Sequence, residues 1–102
     1  MKIFLDDIRK SPDDSWVVFR TAEALIAFLD WNPHLVVTTM SLDHDLGEDM
    51  ISGHEFISWY EEKIYRREHK RPTDGISIHS ANPVGSAQMM QAIHNIYWRF
   101  KE

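Results

Sequence analysis

The chain contains no cysteine. Disulfides, thiolate nucleophiles and thiolate zinc sites are therefore excluded. Glycine and proline are scarce, at four each, and no low-complexity linker or internal repeat interrupts the 102 residues. That length suits one hydrophobic core, so residues 1–102 read as a single domain. No apolar run approaches a membrane span. The first run meets Asp6 and Asp7 too soon for a signal peptide. These missing signals make a soluble cytoplasmic protein the default expectation. Basic residues are also in deficit, 11 against 16 acidic ones, for a net charge of −5. A broad basic footprint for duplex DNA is not expected, although a short strand or a nucleotide end held through a metal remains compatible.

What is present is a set of chemical groups at the ends of short apolar runs. Lys2-Ile3-Phe4-Leu5 leads into Asp6-Asp7, and Leu35-Val36-Val37 leads through Thr38 to Leu42 into Asp43-His44-Asp45. Ile76-Ser77-Ile78 leads into His79-Ser80-Ala81-Asn82-Pro83. In an open parallel sheet the carboxyl ends of the strands converge on one crevice, where such folds bind ligands. Four carboxylates gathered there would repel one another, and without a cation at least one pKa should rise.

The intervening sequence supplies the elements. Residues 9–15 are rich in turn formers, and Trp16-Val17-Val18-Phe19 reads as a second strand. Thr21 can cap a helix over Ala22 to Trp31, which Asn32-Pro33 would end. The third strand lies within Leu35 to Leu42. Ser52-Gly53-His54-Glu55 has capping-box spacing and opens a helix to about Arg67 that should bury Phe56, Trp59 or Tyr60, and Ile64. The charged run Arg66 to Arg71 reads as a solvated helix end, with phosphate binding as the alternative. After the fourth strand, Met89, Ile93, Ile96, Tyr97 and Phe100 share one face of a last helix. Alternating strands and helices give a parallel sheet, except that only a loop joins the first two strands.

This layout resembles the receiver domains of two-component signalling. Asp6-Asp7 match their acidic pair, Asp45 occupies the phosphoacceptor position, Ser80-Ala81 match their Ser/Thr-Ala step, and Gly53 opens the following helix. Phe19 to Leu25 is similar to their second strand running into the second helix. The first receiver helix, a fifth strand and the invariant lysine have no counterpart. The Asp43-His44-Asp45 step and the His79-Ser80-x-Asn82-Pro83 segment resemble a diverged branch, the cyclic-phosphate-processing receiver-like domains. The resemblance implies an α/β, flavodoxin-like three-layer sandwich with a reduced four-stranded parallel sheet ordered 2-1-3-4.

Each group also has a plain structural reading. Asp6 and Asp7 can bond local amides in a turn. With Asp43 and Asp45 they form an oxygen-rich ligand set suited to Mg²⁺ or Mn²⁺. His44 and His79, beside those carboxylates, are acid/base candidates, or strand-end histidines bonded to carbonyls. His54 opens a helix near the crevice, whereas His34, His69 and His94 fall by turns or on helix surfaces. Asn82 with Pro83 is a standard helix start, and that helix end would offer amides to phosphate. Ser80, Asn82 and Arg9 are the substrate-binding candidates; Glu48 or Asp49 could reach a metal through water.

The expected function is a metal-dependent phosphoesterase. By resemblance, its substrates would be cyclic phosphates at RNA ends or in nucleotides. Two alternatives stand beside it: a non-catalytic receiver-like module that senses a phosphorylated ligand or binds a protein, and an aspartyl-phosphate switch on Asp45.

Overall fold

The computed structural model describes residues 1–99. Strands β1 (Lys2–Leu5), β2 (Trp16–Phe19), β3 (Thr39–Leu42) and β4 (Gly75–Ile78) form one parallel sheet in the order β2-β1-β3-β4. Helices α1 (Ala22–Trp31), α2 (Gly53–Tyr65) and α3 (Pro83–His94) follow β2, β3 and β4, and α3 continues into a π-helical turn, Asn95–Arg99. The architecture is the reduced receiver-like α/β fold, with β1 central as expected.

Local chemistry sets the helix ends. The Thr21 hydroxyl accepts from the Ala24 amide at 3.1 Å, and the Ser52 hydroxyl from the Glu55 amide at 3.2 Å. Asn82 Oδ1 accepts from the Gly85 amide at 2.9 Å, with Pro83 in the first helical position. Helix α2 stops at Tyr65, short of the expected Arg67, because Arg67 turns left-handed at φ 60°. The amides of Glu68 and Arg67 then close on the carbonyls of Lys63 and Ile64 at 2.9 and 3.0 Å, a Schellman closure with arginine where glycine is usual. Arg66 and Glu68 stay solvated, paired with Glu62 and Lys63. His69, expected at the surface, is instead buried beside Trp59 and Tyr60, 3.2 Å from Asp30. Met89, Ile93 and Ile96 are buried and Tyr97 partly so; Phe100 lies outside the described residues.

Side-chain alternation divides the sheet into two unlike faces. Ile3, Leu5, Met40 and Leu42 point one way, are fully buried, and join one core with side chains of all three helices. Each such side chain contributes about 1.5–3 kcal/mol relative to exposure. Lys2, Phe4, Ser41 and Ser77 point the other way, and Phe4, though buried, stands apart from that core. Right-handed crossovers account for this arrangement: the step from β1 to β2 runs in the opposite direction to the later steps, so it passes over the opposite face. On that face the connection is the 6–15 loop, tied down where Lys2 Nζ donates to Ser15 Oγ at 2.9 Å.

Candidate functional site

The parallel ladder continues one residue past each strand. The amide of Asp6 donates to the Phe19 carbonyl, that of Asp43 to Leu5, and that of His79 to Leu42, at 3.1, 2.9 and 3.0 Å. Extending the register therefore sets Asp6, Asp43 and His79 side by side in one row, on the same face as Phe4 and Ser41. Their ligand atoms all lie within 4.8 Å of one another.

Asp6 is the most enclosed member, with no exposed surface. Its Oδ1 accepts from the amides of Ile8 and Arg9 at 2.9 and 2.8 Å, and its Oδ2 lies 2.9 Å from His79 Nε2. Burial pushes its pKa up. The Arg9 and Ile8 amides, with the His79 contact, outweigh burial and hold the carboxyl below the usual carboxylate range. Mutual repulsion was expected to raise at least one carboxyl of the group; Asp6 is not that one, because its local donors lower it. The turn-forming role of Asp6 is thus realised together with its place in the cluster.

His79 is held on every side. Its Nδ1 lies 2.7 Å from Ser41 Oγ, and its ring stacks on Phe4 with centroids 4.5 Å apart and planes 3° from parallel. Arg9 Nη1 donates to the His79 carbonyl at 2.6 Å and lies 3.5 Å from Asp6 Oδ2. Arg20, at the end of β2, donates from Nη1 to the carbonyls of Asp6 and Arg9 at 3.1 and 2.6 Å, pinning the turn from beneath.

The second cluster lies where β3 leaves the sheet. Asp43 is buried and accepts from the His44 amide at 2.9 Å. His44 turns away from His79 toward α3. Its Nδ1 lies 2.9 Å from Asp45 Oδ1 and 3.5 Å from Asn82 Nδ2, and its ring fills the space that a Cβ at Gly85 would need. Ser80 Oγ accepts from the Asn82 amide at 3.1 Å. Gly53 is required for the close approach of α2: a Cβ there would overlap the Asp43 carbonyl.

An open cleft of about 510 Å³ joins these parts, lined by Asp7, Ile8, Arg9, Asp43, Asp45, Gly47, Glu48 and Ala81. The structure thus brings Asp7, Asp43, Asp45 and Arg9 around one volume, with Asp6 and His79 beside Asp43. His44, Asn82 and Ser80 do not line it; they sit together at the start of α3, next to the lining residues Asp45 and Ala81. His54 does not line the cleft. Sequence reasoning passed over Ser41 and Arg20. The signal for Ser41 was a hydroxyl residue on the same face as His79 in the neighbouring strand; Arg20 carried no comparable signal.

The model of one protein family, described as the cyclic-phosphate processing receiver domain, matches residues 1–95. The chain belongs to that family. No curated protein and no solved structure gives a match. In this chain no helix separates β1 from β2, and the acidic turn between them is held by Arg20 and by its own carboxylate. Among the described residues, no helix is long and apolar enough to cross a membrane.

Proposed function

We propose that this receiver-like domain is a divalent-cation-dependent phosphoesterase. Its substrate class would be cyclic phosphates at RNA ends or in nucleotides, the chemistry its family name points to. The observation that carries this reading is the convergence of Asp7, Asp43 and Asp45 on one open cleft that also contains Arg9. The donor set is rich in carboxylate oxygen, which suits Mg²⁺ or Mn²⁺, and the Asp6 carboxylate lies beside Asp43. A cation bound there would polarise a phosphoryl oxygen and lower the pKa of its water.

The remaining groups have definable tasks. Arg9 is half exposed, and its guanidinium N–H groups beyond those used at His79 and Asp6 can meet phosphate oxygens. A His44 tautomer that donates Nδ1–H to Asp45 would keep a basic Nε2, on the side of the ring packed beside Gly85, to take a proton from water or a hydroxyl. The Ser80 hydroxyl accepts from the Asn82 amide and retains its own hydrogen for a phosphate oxygen.

The test is incubation of an oligoribonucleotide bearing a terminal cyclic phosphate, a cyclic mononucleotide and a linear phosphate ester with Mg²⁺, Mn²⁺ or chelator. Cation-dependent opening of the cyclic ester is expected. No conversion of any ester with either cation would overturn the reading and favour a non-catalytic interaction module. One observation favours that second reading: Asp6 and both His79 ring nitrogens are already engaged by protein groups, as in a static scaffold. The aspartyl-phosphate alternative is tested by mass after acetyl phosphate and Mg²⁺. Asp45 lines the cleft, but the basic side chain lining it is Arg9 rather than a lysine.

A further inference from the structure

We propose that Ser41 is a positioning residue: its hydroxyl fixes the His79 ring so that His79 holds Asp6 and does not itself exchange protons with substrate. The assignment follows by elimination of hydrogen-bond roles. A carboxylate only accepts. Asp6 Oδ1 is filled by two amides, and Oδ2 faces His79 Nε2 at 2.9 Å, so Nε2 carries a hydrogen. In the neutral ring Nδ1 is then an acceptor. Ser41 Oγ, 2.7 Å away, is the donor that faces it.

The surroundings support this arrangement. Ser41 is buried on β3, where a hydroxyl must find a partner. It does not line the cleft, so it is not placed to attack a phosphate. Phe4 lies flat against the imidazole, and a ring flip would set C–H groups against both Asp6 and Ser41. The result is a fixed chain, Ser41 to His79 to Asp6, running across β3, β4 and β1. With both nitrogens occupied, His79 loses the acid/base role that its sequence position implied, and His44 keeps it. Outer partners of this kind typically change metal affinity or activity by about 10–100-fold when removed.

The clause about cation affinity rests on the proposed phosphoesterase site; the hydrogen-bond assignment does not. Long-range proton–nitrogen correlation spectra of ¹⁵N-labelled, metal-free protein, recorded above the imidazole titration range, read the ring directly. Wild type should show His79 protonated at Nε2 with Nδ1 as a bonded acceptor. In Ser41→Ala the Nδ1 resonance should move to that of an unbonded ring nitrogen, and Ser41→Thr should restore it. Calorimetry with Mn²⁺ should show affinity falling about 10-fold in Ser41→Ala and recovering in Ser41→Thr. A wild-type ring protonated at Nδ1, or the same Nδ1 resonance in wild type and Ser41→Ala, would overturn the assignment. Equal Mn²⁺ affinity in all three proteins would overturn the positioning role. Absence of phosphoesterase activity would leave the spectra unchanged, so the two readings fail separately.

Discussion

The two faces of the sheet differ in almost every respect, although they are made by alternate residues of the same four-residue strands. The face bearing Ile3, Leu5, Met40 and Leu42 meets three helices and contains no polar side chain in its buried rows. The face bearing Phe4, Asp6, Ser41, Asp43 and His79 is crossed by a loop, and its buried groups are mostly polar and bonded to one another. One face therefore supplies cohesion and the other gathers ionisable groups. A register slip of one residue would exchange them, so the hydrophobic pattern that fixes the core also fixes which side the carboxylates take.

That division can be broken at several points. The largest effect should come from His44→Ala, which removes the proposed proton acceptor beside the cleft, between Asp45 and Gly85. Turnover of a cyclic ester should fall roughly 10²–10⁴-fold in single-turnover assays, with Mn²⁺ affinity little changed. Wild-type turnover in this variant would end the acid/base assignment.

Neighbouring residues on β3 compare the faces directly. Met40→Ala should destabilise by about 2–5 kcal/mol in urea unfolding, because it opens a cavity under the helices. Ser41→Ala should cost only about 1 kcal/mol, since it removes one hydrogen bond to a ring that is partly open to water. Equal losses at both positions would show that the polar face contributes to the core after all.

Asp7→Asn tests the chemical face alone. Calorimetry should show loss of Mg²⁺ or Mn²⁺ binding, with stability within about 0.5 kcal/mol of wild type, as for other surface changes. Retained binding in both Asp7→Asn and Asp45→Asn would move the cation away from the cleft. The smallest effect is expected far from either face. Arg67→Gly should stabilise by about 0.5–1 kcal/mol, because glycine adopts the left-handed helix end without strain. A decrease in melting temperature would show that the Arg67 side chain makes a contribution larger than its backbone strain.

The fold was legible to the extent that local signals were strong. Thr21, Ser52 and Asn82 each announced a helix start, and the strand order followed from the receiver-like layout. The end of α2 was misplaced because nothing in a run of charged residues marks which one turns left-handed. His69 was misplaced for a related reason: charge patterning describes the run as a whole, while burial of one imidazole depends on Trp59, Tyr60 and Asp30 from other segments.

In the site, the carboxylates were legible from their positions at strand ends. Their partnerships were not. Alternation put Asp43 and Asp45 on one side and allowed His44 to meet His79 on the other. The row of Asp6, Asp43 and His79 became visible only once the register joined Leu5 to Leu42 and Leu42 to Ile78. Alternation fails at Asp45 and His44 because β3 has ended by then. The donors to Asp6 come from its own turn and from the residue after β4, and that combination outweighs burial and lowers its pKa.

The grip of Asp6 on the amides of Ile8 and Arg9 has a consequence for the motions of the molecule. Backbone hydrogens in a loop ordinarily exchange with solvent through local openings that need little free energy. Here two of them are directed into a carboxylate that has no exposed surface and is anchored from β4 and β2. Deuterium uptake at the Ile8 and Arg9 amides is therefore expected to be slower than in an unbonded loop. Faster uptake is expected in the exposed segment from Pro12 to Asp14.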